Sequence, residues 1–445
     1  MGKYAVTKSI LEVPDRYDSV VQSEAGGDVV AENGRETESF LRAIAAQRPA
    51  SCSASLRYDF SPDATDQQSR LGMFLTIAAS GENAVGVPTQ LLRLGPIDRF
   101  YRTSLAEVPL VRWEDFPFAC EIVRRIEFVR SAVSTESNPR VLPDYCLIPP
   151  FKANGLNDYI KLDKVNAQIT EKTLTEIRVE PTDTSPERMA SLKYLARLQS
   201  VNHPREEEWP AAGMDYLGEE GDFATALRTY PRIRDQHDPM ADIAQQALRR
   251  FQESLLKPCL LFRICVLAAS EAAAMALAST VAECAFRNGA YRLSMRHRGT
   301  PRYDALIAAL RDGKMITAGL PDAADAPQAL NIYKDFERIA GMATVEELAG
   351  AFRLPVAGHC SPYCFRKTTD PPPSPAIGAL RIGFLDRGQR GEDIPESARV
   401  WMTIPHLVLT KNTGIFGKVG CGKTSLVESL ILQLGRESDG GNKNE

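Results

Sequence analysis

The amino-acid sequence predicts an α/β protein, and three stretches carry that prediction. Residues 174–179 alternate apolar and polar as a half-buried strand does, and a helix start follows at Thr184. Residues 260–268 form an apolar strand that leads into a helical pattern and returns as a strand at 291–295. Near the end, apolar strand pieces at 407–409 and 414–416 run into a glycine-rich loop and then a helical pattern over 425–434. The expected class is α+β in the N-terminal region, followed by a first strand–loop–helix unit.

Taken in order, residues 1–35 show no periodicity and read as a polar lead-in. Residues 40–46 have helical spacing, and Arg48-Pro49 closes them. Two strands are expected at 54–60 and 71–77. Helices are expected at 90–94, ending at Gly95-Pro96, and at 118–129. Thr184 and Glu187 have capping-box spacing, with Pro186 in the first turn, so that helix should reach about Leu198. The composition turns charged and irregular after His203, with Glu206-Glu207-Glu208 and Gly218-Glu219-Glu220-Gly221, before a polar helix over 240–256. Ser270 is placed to cap a helix over 271–287, and Gly289 stands where a helix stops. A further helix is expected at 301–311. Thr344 and Glu347 open another by capping-box spacing, expected to run to Leu354-Pro355. Pro371-Pro372-Pro373-Ser374-Pro375 is a stiff spacer, and strands are expected at 380–385 and 400–404. The implied organisation is an α/β domain over 1–202, a charged helical connector over 203–258, a second α/β block over 259–358, a proline-rich linker over 359–376 and the start of a further domain over 377–445.

The chemistry concentrates in that last region. Gly417 to Thr424 spells G-x-x-x-x-G-K-T, the phosphate-binding loop of a nucleoside triphosphatase. Gly417, Gly420 and Gly422 remove the Cβ atoms that would keep backbone amides from surrounding a triphosphate. Val419 and Cys421 contribute main chain there, Ser425 begins the helix whose N-terminus faces the phosphates, Lys423 places a cation at the β- and γ-phosphates, and the Thr424 hydroxyl is positioned to ligate Mg²⁺. ATP with Mg²⁺ is the expected cofactor. A phosphoryl-transfer enzyme also needs a later strand with an acidic residue for the metal and a group that positions water. Only residues 425–445 follow Thr424, so hydrolysis is not expected of this chain alone.

Composition narrows the alternatives. A net charge of −4 gives no global attraction to nucleic acid or anionic lipid. The longest apolar run, 260–286, is broken by Arg263, Glu271 and Glu283, so it does not read as a membrane span. The N-terminus has no apolar segment behind its charge, and nine scattered cysteines suit reduced thiols. The expectation is a cytoplasmic protein without a membrane span. His359, Cys360 and Cys364 offer too few ligands for zinc. Cys421, beside Lys423 at a helix N-terminus, is the thiol best placed to be alkylated. Arg124-Arg125, Arg249-Arg250 and Arg296-His297-Arg298 are short basic clusters of the kind that usually form solvated surface.

Over 380–434 the chain resembles the HerA/FtsK superfamily of ring ATPases, the HerA-like and conjugative type IV secretion ATPases in particular. The resemblance rests on Arg381-Ile382-Gly383, the Ile404-Pro405 strand entry and the G-K-T core. Residues 344–349 with Phe352-Arg353-Leu354-Pro355, 176–198 and 271–291 are also similar to the segments that precede the motor in that family. Two positions depart from its pattern: Lys411-Asn412 stands where a histidine is usual, and the loop reads Val419-Gly420-Cys421-Gly422 rather than T-G-S-G. The resemblance implies a P-loop, RecA-like fold in the last domain, a hexameric ring in the full-length form, DNA as translocated substrate, and a nuclease or secretion-system protein as partner. Two other classes compete with it: a protein-interaction scaffold with a vestigial nucleotide loop, and a small-molecule kinase, whose loop usually lies near the N-terminus of its domain.

Overall fold

The computed structural model describes residues 3–14, 28–63, 70–81, 86–93, 97–107, 110–134, 141–142, 144–153, 168–202, 237–287, 289–316, 334–357, 366–367, 379–384, 401–405 and 426–431. The chain divides into two compact units, Met1–Tyr17 with Ala25–Lys367, and Asp18–Glu24 with Thr368–Glu445.

The first unit is mixed α/β around an antiparallel sheet. In chain order its principal elements are β1 (Lys3–Val13), α1 (Val29–Ala45), β2 (Cys52–Phe60), β3 (Leu71–Ser80), β4 (Phe118–Arg124), β5 (Thr173–Pro181), α2 (Ser185–Asn202), α3 (Pro239–Leu255), β6 (Cys259–Ala268), α4 (Glu271–Ala285), β7 (Tyr291–His297) and α5 (Pro301–Asp312). The strands lie in the order β7-β4-β6-β5-β2-β3-β1, each antiparallel to its neighbours. Shorter strands complete it: Met342–Thr344 pairs with the start of β6, Arg102–Leu105 with β1, and Arg366–Lys367 runs parallel to the end of β1. Segments 1–202 and 259–358, distinct along the sequence, therefore interleave in one sheet, with β6 between β4 and β5. Local periodicity carries no information about such long-range pairing.

The helix ends are capped by side chains and by glycine, those at Ser270 and Thr344 as expected. Ser270 Oγ accepts from Ala273 N at 3.2 Å at the start of α4. Asp238 caps α3, accepting from Met240 N at 3.0 Å. Gly313, at φ +60°, ends α5 in the left-handed conformation that glycine adopts without cost. At Thr344 the capping box is complete: Glu347 N donates to Thr344 Oγ1 at 3.2 Å, and Thr344 N donates to Glu347 Oε2 at 2.8 Å.

Three expectations are corrected. Residues 1–35 are not a featureless lead-in: they hold β1 and the first turns of α1, capped by Asp28 through Val30 N at 3.0 Å and Ala31 N at 3.2 Å. Residues 118–129 are not a helix but β4 and a short strand, Glu127–Arg130. A central strand buries both faces, so β4 carries an apolar run resembling a helical one, and Glu121 is accommodated by Arg296 on β7 at 2.9 Å. The helix opened by Thr344 stops after Val345–Leu348. Three buried side chains draw off the carbonyls beyond it: Tyr58 Oη donates to Arg353 O at 2.6 Å, Asn33 Nδ2 to Leu354 O at 3.1 Å, and Tyr101 Oη to Pro355 O at 3.1 Å. Residues 351–357 are all buried, as a strap across the sheet end.

Helices α2 and α3 pack on one face of the sheet at its β4–β6 side, with Tyr194, Leu198, Leu248, Phe251 and Phe336 in a shared cluster. Gln252 of α3 donates to Ser191 of α2, and Asn202 donates to Asp242, so the two helices run antiparallel. Helix α5 covers the same face further along, through Tyr303, Leu306, Ile307 and Leu310 against Ala119, Leu174, Cys265 and Leu267. No helix among the described residues is long and apolar enough to cross a membrane.

In the second unit, Ala379–Phe384 and Trp401–Pro405 form an antiparallel pair with Leu380 opposite Ile404 and Phe384 opposite Trp401. Both strands were expected within a residue or two of these bounds. Residues 426–431 are helical, inside the helix expected at 425–434.

Candidate functional site

The predicted nucleotide loop, Gly417 through Ser425 with Val419, Gly420, Cys421, Gly422, Lys423 and Thr424, lies outside the described residues. So do the strand pieces expected at 407–409 and 414–416, His359, Cys360 and Cys364, and the acidic runs after His203. What is described on either side of it along the chain is the strand pair upstream and a helical stretch over 426–431. In that helix Leu430 is buried while Val427 and Ile431 are exposed, so it has one inward side, as the helix after such a loop requires.

Within the first unit a cluster of buried charges lies on one face of the sheet. Arg57 stands opposite Glu176, Glu176 opposite Cys265, and Cys265 opposite Glu121, so β2, β5, β6 and β4 present these side chains in one row. The adjoining row is Ser55, Arg178 and Arg263. Glu176 Oε1 accepts from Arg178 Nε at 3.0 Å and from Arg263 Nη2 at 2.7 Å. The outer guanidinium nitrogens reach the end of α5: Arg178 Nη1 donates to Gly313 O at 3.2 Å, and Arg263 Nη1 to Lys314 O at 2.8 Å. Two cations thus meet the negative end of a helix dipole, with one carboxylate fixed between them. Arg57 is held by Asp59 through Nε at 3.1 Å and Nη2 at 2.6 Å.

Burial alone would raise the Glu176 carboxyl, but the charges of Arg178 and Arg263 and their hydrogen bonds outweigh it and hold the group below its ordinary value. Asp59 moves the other way. Burial raises it, Arg57 opposes through charge and hydrogen bonding, and the nearby Glu176 adds to the rise. The cluster therefore holds ionised groups against one another and against backbone carbonyls. Chemically it is a clamp on α5 rather than an acid–base pair.

A second buried hub surrounds Arg124, which is 2% exposed. Its guanidinium donates to Glu347 Oε2 at 2.8 Å, Met342 O at 3.1 Å and Pro149 O at 3.0 Å, and lies 4.3 Å above the Phe151 ring. Glu347 Oε1 accepts from Phe151 N at 3.1 Å. Asp238 is fully buried and accepts from Tyr145 Oη at 2.9 Å, Ala132 N at 3.3 Å and Ser131 Oγ. Two of the basic clusters read as solvated surface are accordingly split. Arg124 and Arg296 are buried ion-pair members, while Arg125 and Arg298 are exposed, as are both Arg249 and Arg250. The signal that separates them is strand alternation, which turns Arg124 inward and its neighbour Arg125 outward, and Arg296 inward beside the exposed His297.

Five buried thiols among the described residues are held in the protonated form. Burial pushes the Cys52 thiol up to about 11 and Cys146 up to about 12, and Cys120, Cys259 and Cys265 likewise to about 12. Among the described residues no group of three or more His, Cys, Asp or Glu side chains is placed to hold a metal ion. A small cavity lined by Thr37, Phe40, Leu56, Leu75, Ile97, Phe352 and Leu354 is almost wholly apolar and offers nothing to a triphosphate.

No family model matches the chain, and no curated protein matches it.

Proposed function

We propose that the chain binds a nucleoside triphosphate, ATP with Mg²⁺, on residues 417–425, as part of a DNA-translocating ATPase of the HerA/FtsK kind. In this reading the last domain takes the P-loop, RecA-like fold, the full-length protein forms a hexameric ring, and it serves a conjugative, mobile-element or defence system with a nuclease or secretion-system protein as partner. The observation that carries the proposal is the G-x-x-x-x-G-K-T spelling from Gly417 to Thr424 with a helix, residues 426–431, directly behind it. The strand pair before the loop supports the same order of elements. Lys423→Ala removes the only side-chain cation of the loop's G-K-T core, so titration calorimetry with Mg-ATP should show binding by the parent chain and none by the variant. Equal heats from both would refute the nucleotide reading.

The scaffold reading has one observation in its favour. The charged clusters of the first unit are engaged with one another and with backbone, which suits a body built for rigidity. A chain with no measurable affinity for ATP, GTP or their diphosphates would turn the choice to it.

A further inference from the structure

Helix α2 is apolar on two opposite sides. One side, Ala190, Tyr194, Leu198 and Val201, is buried in the cluster shared with α3. The other is formed by Met189, Leu192 and Ala196, which recur at i, i+3 and i+7 and so line up along the outward face. Met189 is 56% and Leu192 is 52% exposed, and Ala196 is exposed as well. At about 100° per residue, this stripe lies almost diametrically opposite the buried one. The fold needs only one of the two.

Cations border the outer stripe on both sides. Arg188 flanks one edge, and Lys193 and Arg197 flank the other, all three exposed. From Arg188 to Asn202 the helix contains no Asp or Glu. Arg188 lies within electrostatic reach of Asp183, just before the helix. Lys193 and Arg197 have no ion-pair partner among the described residues. The neighbouring α3 adds exposed Arg249 and Arg250 close to Gln252, which contacts Ser191, together with one exposed carboxylate, Glu253.

We infer that this face of α2 docks an acidic amphipathic helix of a partner protein. An apolar stripe at i, i+3, i+7 is the footprint that a second helix fills with its own stripe, and the flanking cations select carboxylates at its edges. A second copy of α2 is excluded as occupant by the same charges. A two-fold contact would bring Arg188, Lys193 and Arg197 against their own equivalents. Nucleic acid is disfavoured because the stripe is aliphatic, whereas base recognition uses aromatic platforms, and phosphate contact has no use for Met189 and Leu192. The inference is independent of the nucleotide loop and stands whether or not that loop binds ATP.

The test uses the full chain and a fluorescein-labelled helical peptide with leucines at i, i+3 and i+7 and glutamates on both flanks, read by anisotropy. Binding should weaken by about tenfold in the Met189→Ser, Leu192→Ser double variant and by a similar factor in Lys193→Glu with Arg197→Glu. The charge-reversed variant should instead take up the same peptide carrying lysines in place of glutamates. All four positions are exposed, so circular dichroism should report an unchanged fold. Absence of binding, or binding indifferent to both double variants, overturns the inference. So does binding of a 20-base-pair duplex or phosphatidylserine vesicles that charge reversal abolishes while the Met189 and Leu192 substitutions leave it intact, since that pattern defines a simple polyanion surface.

Discussion

On one face of the central sheet Leu56, Ile177 and Ile264 stand side by side, with Tyr58, Val179 and Phe262 around them, all 3% exposed or less. On the other face the same strands present Arg57, Glu176, Arg178 and Arg263, with Glu121 on β4, between 3% and 8% exposed. Burial is nearly equal and the chemistry is opposite. The apolar face is stabilised by removing hydrocarbon from water, which needs only shape. The charged face gains nothing from desolvation and holds only because each ion has a partner at hydrogen-bonding distance. It is therefore more specific than the apolar face, and more fragile toward the loss of a single member.

That contrast is broken most severely by Glu176→Ala. Two guanidiniums, Arg178 and Arg263, would remain buried without their shared anion, at a cost of about 4 kcal/mol in urea unfolding. The companion experiment replaces all three ions at once, with Glu176→Leu, Arg178→Met and Arg263→Met. If pairing and not attraction is what the network supplies, this triple variant should lie within about 1–2 kcal/mol of the parent, far above the single variant. A triple variant worse than the single one would show that the bonds to Gly313 O and Lys314 O, which fix the end of α5, matter more than ionic balance. On the apolar face Ile177→Ala, one residue along the same strand, should cost about 3 kcal/mol through lost burial and an unfilled cavity. No apolar replacement elsewhere should rescue it.

The same comparison explains what was readable in the sequence. Residues 54–60 and 174–179 alternate, and alternation ordinarily means one wet face. The strands were found where expected, yet their polar positions are buried as well, because the partners for Arg57, Glu176 and Arg178 come from within the sheet and from the end of α5. Nothing local to a strand announces that. Local signals served well at several helix ends, though not at α1, whose Asp28 cap went unread, nor at Thr184, whose hydroxyl donates to Leu255 O at 3.4 Å and does not form the expected box with Glu187. The Thr344–Glu347 box, the Ser270 cap and the helix that follows residues 417–424 were all legible, since each depends on residues within one turn. They failed for β4, where Glu121 depends on Arg296, 175 positions away. They also failed for the strap at 353–355, whose carbonyls are taken by side chains from α1, β2 and Tyr101. The outer stripe of α2 was legible as helix, but its exposure was not, because only the packed structure shows which of two apolar sides the core uses.

The smallest predicted effect uses the two carboxylates that the charged face drives apart. Glu176 has a folded pKa below its ordinary 4.5, so its stabilisation is complete above that value and drains away as pH falls through the lower folded one. Asp59 has a folded pKa above its ordinary 3.8, so protonation favours the folded state. Stability from this group rises as pH drops through its folded value and levels off below 3.8. The two slopes oppose each other in the same acid range. Glu176→Gln should flatten the loss of stability on acidification, and Asp59→Asn should steepen it, in urea midpoints followed from about pH 6 to pH 3. The Asp59 change should be the weaker of the two, because its side chain is 26% exposed and solvent screens it. Parallel profiles for the two variants would mean that the row from Arg57 to Glu121 titrates as a single unit, with no division of sign between its carboxylates.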